Sequence, residues 1–150
     1  MTPLLFEVLS RSAGETRDAG RRLAVHLSPG ALVLLSGPLG AGKTELVRGL
    51  AEGLGAGAEE VASPTFALVH EYGPPQAPPI LVHADLYRLL GTSSGSGAAF
   101  EDLGLAEARD RGSVVVVEWP EGLGRDRDAV EVEILLEEEE ARRIVVRRAR

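Results

Sequence analysis

Lys43 is the single lysine of the chain, and it stands in the string Gly37-Pro38-Leu39-Gly40-Ala41-Gly42-Lys43-Thr44. That string has the phosphate-binding pattern GxxxxGK[ST], in which glycines let backbone N–H groups turn inward around phosphate oxygens. Lysine suits such a cradle: a slim stem ending in a compact ammonium lies along a phosphate chain, whereas a guanidinium is a wide planar fork. Arginine takes every other strongly basic position, so a composition that otherwise avoids lysine keeps it where the geometry needs it. Lys43 is expected to bridge the β- and γ-phosphates of a nucleotide, and Thr44 to offer its hydroxyl to Mg²⁺. Gly37, Gly40, Ala41, Gly42, Lys43, Thr44 and Glu45 form the expected nucleotide-holding segment.

A site of this kind also needs an acid at the end of a neighbouring strand, and the sequence offers two. Pro79-Ile80-Leu81-Val82-His83-Ala84-Asp85 delivers one carboxylate after an apolar run, and Ser113-Val114-Val115-Val116-Val117-Glu118 delivers another. In an open parallel sheet the ligand lies at the carboxyl ends of the strands, which brings both acids to the cleft that holds Mg²⁺. Taken singly, each also fits a surface acid where a strand meets its loop. Lys43, Asp85 and Glu118 are the expected catalytic group, and Thr44, Asp85 and Glu118 the expected metal group. The base is expected to be adenine, because the guanine-reading segment [NT]KxD requires a second lysine and a DxxG string is missing. Cysteine is absent and His26, His70 and His83 show no metal-ligand spacing, so zinc and thiolate chemistry are set aside. His83 is read as satisfied within or beside its strand.

The elements that must position these residues follow from hydrophobic spacing. Leu4 to Leu9 reads as a strand, and Ser10 or Ser12 caps a helix from about Ala13 to Leu27 with Ala19, Leu23, Ala24 and Leu27 on one side. Ala31-Leu32-Val33-Leu34-Leu35 is a continuous apolar run, as in a strand buried on both faces, and it feeds directly into the glycine-rich string. Thr44 to Leu54 then carries Leu46, Val47, Leu50 and Leu54 at helical spacing, closed by Gly53 and Gly55. Strand, loop and helix therefore follow one another as phosphate binding requires. From about Asp126, Val130, Val132 and Ile134 alternate with Glu131 and Glu133, which predicts antiparallel strands flanking a parallel core. The acidic run Glu137 to Glu140 followed by Arg142, Arg143, Arg147, Arg148 and Arg150 reads as a hairpin with opposite charges across it.

A length of 150 residues suits one domain, 1–150, with one core. The formal charge of −7 argues against a protein that grips nucleic acid by its own electrostatic footprint. No apolar run approaches membrane-spanning length, and Met1 to Glu7 does not read as a secretory signal, so a cytoplasmic protein without a membrane partner is expected.

Three further strings converge on one family. Ser63-Pro64-Thr65-Phe66, His83-Ala84-Asp85-Leu86-Tyr87-Arg88-Leu89 and Glu118-Trp119-Pro120 follow the loop string in an order and spacing that resembles the TsaE, or YjeE-type, P-loop ATPases of bacterial tRNA threonylcarbamoyladenosine (t6A) biosynthesis. The resemblance runs from about Thr16 to Pro120. It implies an α/β, three-layer P-loop NTPase-like fold with a parallel central sheet extended by antiparallel strands. It also implies a Mg²⁺-dependent ATPase, slow alone, that supports turnover of a TsaD–TsaB complex and meets tRNA only through that complex. Carried onto matching positions, it makes Thr44 and Asp85 the Mg²⁺-associated residues and puts Glu118 near the metal or the attacking water; Asp85 is preferred for the metal and Glu118 for the water.

The chain departs from the family pattern at three places. Pro38 stands where Asp is usual, Glu45 where a hydroxyl residue is common, and Gly91-Thr92-Ser93-Ser94-Gly95-Ser96-Gly97 where a short acidic helical stretch is normal. Glu45 favours a helix N-terminus but sits close to an anionic ligand, which is expected to lower affinity. Ser63 and Thr65 fit either a loop that senses the γ-phosphate or a plain Ser-Pro turn, and Trp119 either moves with the site or packs as core. Two other functions use the same loop: a small-molecule P-loop kinase, and a nucleotide-gated assembly module with negligible hydrolysis. Little sequence is left over to build a kinase's acceptor pocket and lid.

Overall fold

The computed structural model of the chain describes residues 3–38, 40–56, 69–74, 77–85, 104–118 and 129–148. Leu39, Ser63 to Phe66, Leu86 to Leu89, Gly91 to Gly97, Trp119 and Pro120 lie outside the described residues. In chain order the elements are β1 (Leu4–Ser10), α1 (Ala13–Ala24), β2 (Leu32–Ser36), α2 (Lys43–Gly53), β3 (Val69–Tyr72), β4 (Leu81–Asp85), α3 (Leu105–Asp110), β5 (Val114–Glu118), β6 (Val130–Leu136) and β7 (Arg142–Arg148).

The strands form one seven-stranded sheet in the order β1-β7-β6-β2-β5-β4-β3. Its centre is parallel, with β2 between β5 and β6 and β4 outside β5, while β1, β7 and β3 add antiparallel edges. Helices cover both faces, which gives three layers. Leu23 of α1 and Leu46, Val47 and Leu50 of α2 bury against Val33, Leu35, Val116, Val132 and Ile134 on one side. Leu105 and Ala108 of α3 bury against Leu32, Leu34, Val82, Val115 and Val117 on the other. Complete burial of each of these valine, leucine and isoleucine side chains contributes about 1.5–3 kcal/mol. The uninterrupted apolar runs of β2 and β5 are thus explained, since successive residues face opposite layers that are both dry.

The α/β expectation holds, with one correction in the sheet. β6 does not lie wholly in an antiparallel flank: it pairs parallel with β2, Val33 opposite Val130 and Leu35 opposite Val132, and turns antiparallel only toward β7. Alternation of Val130, Val132 and Ile134 fixes which face is buried but is blind to the direction of the partner strand. The charged hairpin is present: Arg143 binds Glu137 at 2.6 Å and Glu7 of β1 at 2.9 Å.

Helix α1 begins as its sequence dictates. Ser12 caps it by accepting from the Glu15 N–H at 3.1 Å, and Glu15 reaches back to the Arg11 N–H at 2.6 Å. It ends at Ala24 rather than Leu27, because Val25, His26 and Leu27 donate to carbonyls only three residues back, the tighter winding of a terminal turn. Helices α1 and α2 cross through Gly20, Gly49 and Gly53, where a Cβ would meet opposing atoms at 2.1, 1.9 and 2.7 Å respectively. Among the described residues no helix is long and apolar enough to cross a membrane.

Candidate nucleotide site at the carboxyl end of the parallel strands

The loop leaves β2 at Gly37, and its backbone explains its composition. Gly40 and Gly42 have φ of +80° and +104°, a region that side-chain-bearing residues rarely enter. Gly42 is the N-cap of α2 and carries no side-chain cap, so the first N–H groups of that helix are presented at the loop rather than to a local side chain. Those donors and the positive end of the helix dipole form the usual setting for a phosphate group. Lys43 opens the helix, and its Nζ donates to the Gly37 carbonyl at 2.9 Å, which lays the stem across the mouth of the loop. Thr44 is exposed one residue further on.

Strand parity brings the acids to the same place. Asp85 and Glu118 are the last residues of β4 and β5 and sit directly opposite each other, while Leu35 near the end of β2 sits opposite Glu118. Leu35 and Val116 belong to the core on the α1/α2 face, and residues two apart share a face. His83, Asp85 and Glu118 therefore lie on the face covered by α2, at the strand ends where α2 begins. The expected group of Lys43, Thr44, Asp85 and Glu118 is gathered by β2, α2, β4 and β5.

Glu118 is 8% exposed. Burial alone raises its pKa, yet His83, the charge of Lys43 and hydrogen bonding with Asp85 together bring the carboxyl below its ordinary value of 4.5. Glu118 is thus a carboxylate near neutral pH, able to accept protons or hydrogen bonds but not to donate them. His83 was expected to be satisfied within or beside its strand; its buried Nε2 has no hydrogen-bond partner but lies 3.5 Å from Oε1 of Glu118 on the adjacent strand β5, an electrostatic contact longer than a good hydrogen bond. The sequence signal for this neighbour was the two-residue spacing from His83 to Asp85.

Glu45 shows why its position beside the loop is tolerated. Arg48 binds it at 2.7 Å and Arg17 of α1 at 3.0 Å. Burial pushes its carboxyl up, but hydrogen bonds and charge from Arg48 and Arg17 outweigh that and bring it below the ordinary range. The negative charge that the sequence sets beside the loop is accordingly held by two guanidiniums. Arg17 carries no motif in the sequence, since it is 28 residues from Glu45 and meets it only through the helix crossing.

The donors present fit Mg²⁺. Among the described residues no three His, Asp or Glu side chains converge as a metal cage, whereas Mg²⁺ needs only one or two protein oxygens and completes its shell with phosphate oxygens and water, a role that the Thr44 hydroxyl and the Asp85 carboxylate could fill.

Residues 10–145 match the family model described as "Threonylcarbamoyl adenosine biosynthesis protein TsaE". The chain belongs to the TsaE family. The tRNA threonylcarbamoyladenosine biosynthesis protein TsaE of Streptomyces coelicolor is 51% identical over 106 residues, 71% of this chain and 68% of that protein. Its Bacillus subtilis counterpart is 41% identical over 105 residues, 70% of this chain and 60% of that protein. The crystal structure of B. subtilis YdiB is similar with a TM-score of 0.71 at 27% identity, covering 100% of this chain and 88% of the other. The TsaE-family match spans the loop, α2, both acid-bearing strands and most of the C-terminal hairpin.

Proposed function

We propose that this TsaE-family chain binds ATP with Mg²⁺ and hydrolyses it, slowly by itself, to support repeated turnover of a TsaD–TsaB complex that makes t6A on tRNA in the cytoplasm. The observation that carries this reading is the register of Asp85 against Glu118 at the strand ends where Lys43 and Thr44 begin α2. Family membership supplies the pathway, and the relatives bear its name.

In this reading backbone groups from Gly40 to Thr44 hold the phosphates and Lys43 neutralises them. Thr44 and Asp85 would hold Mg²⁺, which supplies further neutralisation of phosphate charge when bound. Glu118, kept ionised by its neighbours, accepts a hydrogen bond from water and orients it for in-line attack on the γ-phosphate. Preorganised charge and position, rather than a covalent intermediate, supply the rate. The formal charge of −7 favours contact with tRNA through partner proteins over direct binding.

Phosphate release measured for the isolated protein, then with TsaB and TsaD added, tests the proposal. Slow release that rises with the partners supports it. Fast, partner-independent phosphoryl transfer to a small metabolite would contradict it.

A further inference from the structure

The arginine-rich end of the chain does two different things. Arg143 behaves as hairpin charge, pairing with Glu137 and Glu7. Arg142, one residue earlier, leaves the hairpin. Its Nε donates to the Ala41 carbonyl at 2.8 Å and its Nη2 to the Gly40 carbonyl at 3.2 Å, while Nη1 binds the Glu140 carbonyl at 2.7 Å. All three nitrogens of one guanidinium are engaged with backbone carbonyls, two of them in the glycine-rich loop 102 and 101 residues away in sequence.

We propose that Arg142 is a positioning residue for the phosphate loop: it holds the Gly40 and Ala41 carbonyls outward and thereby sets the direction of the loop's N–H groups. In a planar trans peptide C=O and N–H point in opposite directions. Fixing the Ala41 carbonyl fixes the Gly42 N–H, and fixing the Gly40 carbonyl fixes the Ala41 N–H, which donates to the Pro38 carbonyl at 3.1 Å and closes the turn. Glycines at +80° and +104° give the loop little intrinsic preference for one shape, so an external clamp is what selects it. A charged fork is suited to the task, because hydrogen bonds from a guanidinium are stronger than neutral ones and its geometry is rigid.

The clamp itself is well anchored. Arg142 opens β7 and is paired with Ser10 of β1 on one side and Leu136 of β6 on the other. The Glu140 carbonyl that takes its third nitrogen belongs to the turn joining β6 to β7. Beyond closing the sheet, the C-terminal hairpin therefore shapes the site, although it contributes none of the loop's own motif.

The inference rests on ATP binding at this loop, and its test separates the two. Arg142→Ala, Arg142→Lys, Arg142→Gln and the neighbouring Arg143→Ala would be compared with wild type in ATP affinity and thermal unfolding. Hydrogen exchange at the Ala41 and Gly42 amides would be followed in nucleotide-free protein. Arg142→Ala is expected to weaken ATP binding about tenfold or more, as for loss of charged hydrogen bonds, and to speed exchange at both amides. Arg142→Lys should recover part of each effect, Arg142→Gln less, and Arg143→Ala should leave affinity within about twofold. Unchanged loop exchange in Arg142→Ala and Arg142→Gln would overturn the proposal, and so would an equal loss of affinity in Arg143→Ala. If wild type itself binds no ATP the functional reading fails, while loop exchange still reports on Arg142.

Discussion

The crossing of α1 over α2 is predicted to be the least forgiving place in the fold, and Gly49→Ala tests it. A Cβ on Gly49 would lie 1.9 Å from the Arg17 carbonyl oxygen and 2.7 Å from its carbon, against an ordinary contact of at least 3.4 Å. Relief requires the helices to part by about 1.5 Å, the difference between 3.4 and 1.9 Å, and the opposing atoms are backbone, which cannot rotate away. Overpacking of this kind costs about 1–3 kcal/mol, and a backbone clash belongs at the upper end. The better helix propensity of alanine returns about 1 kcal/mol. The net loss is about 2 kcal/mol, or a midpoint lower by about 4–8 °C for a chain of this size. Helix α2 carries Lys43 and Thr44 at its start, so its displacement also separates them from Asp85 and Glu118, and misplacement by about 1 Å can cost about a hundredfold in rate. Gly14→Ala is the matched control: it is exposed, and its nearest new contact is Ser12 Oγ at 3.8 Å. Calorimetry of both variants decides the matter. A Gly49→Ala protein as stable as Gly14→Ala would refute the close crossing.

Other expectations follow from the same geometry. Glu118→Gln should retain ATP binding and lose turnover, and a variant with wild-type kinetics would return the water-positioning role to Asp85. Because the native Glu118 carboxyl lies below its ordinary value of 4.5, its ionised form stabilises the fold above that pH, and the contribution is lost as pH falls through the lower native value. The stability gap between wild type and Glu118→Gln should accordingly shift against wild type on acidification, and a pH-independent gap in denaturant melts would count against the assignment. Arg17→Ala leaves Glu45 with Arg48 alone and should weaken ATP binding a few-fold, more at low salt than at high; calorimetric titration at two ionic strengths reads this directly. Glu139 and Glu140 both have positive φ, 59° and 62°, so Glu140→Gly is expected to raise stability by about 1 kcal/mol, as measured by chemical denaturation.

Much of the candidate site was legible because it depends on local rules. Glycines around Lys43, a dry strand before it and an amphipathic helix after it are consecutive in sequence, and the acids end apolar runs whose parity can be counted. What remained hidden depends on elements distant in sequence. The parallel pairing of β6 with β2 is a choice of neighbour that alternation at Val130, Val132 and Ile134 does not encode. Arg17 reaches Glu45 only because Gly20 and Gly49 let two helices touch. Arg142 was visible as one charge in a basic run, and its difference from Arg143 emerges only when β7 is laid beside the loop. For His83 the sequence left open whether its neighbour lay within or beside its strand, because a single sequence does not say that Glu118 lies alongside.

ATP held by Lys43 is proposed to sustain repeated rounds of t6A formation. The direct measurement is modification of tRNA over many turnovers with TsaB, TsaD and their adenylate-forming enzyme, comparing wild type with Lys43→Ala. Wild type is expected to sustain repeated turnover, and Lys43→Ala to stall near a single round. Equal multiple-turnover modification by the two proteins would contradict it.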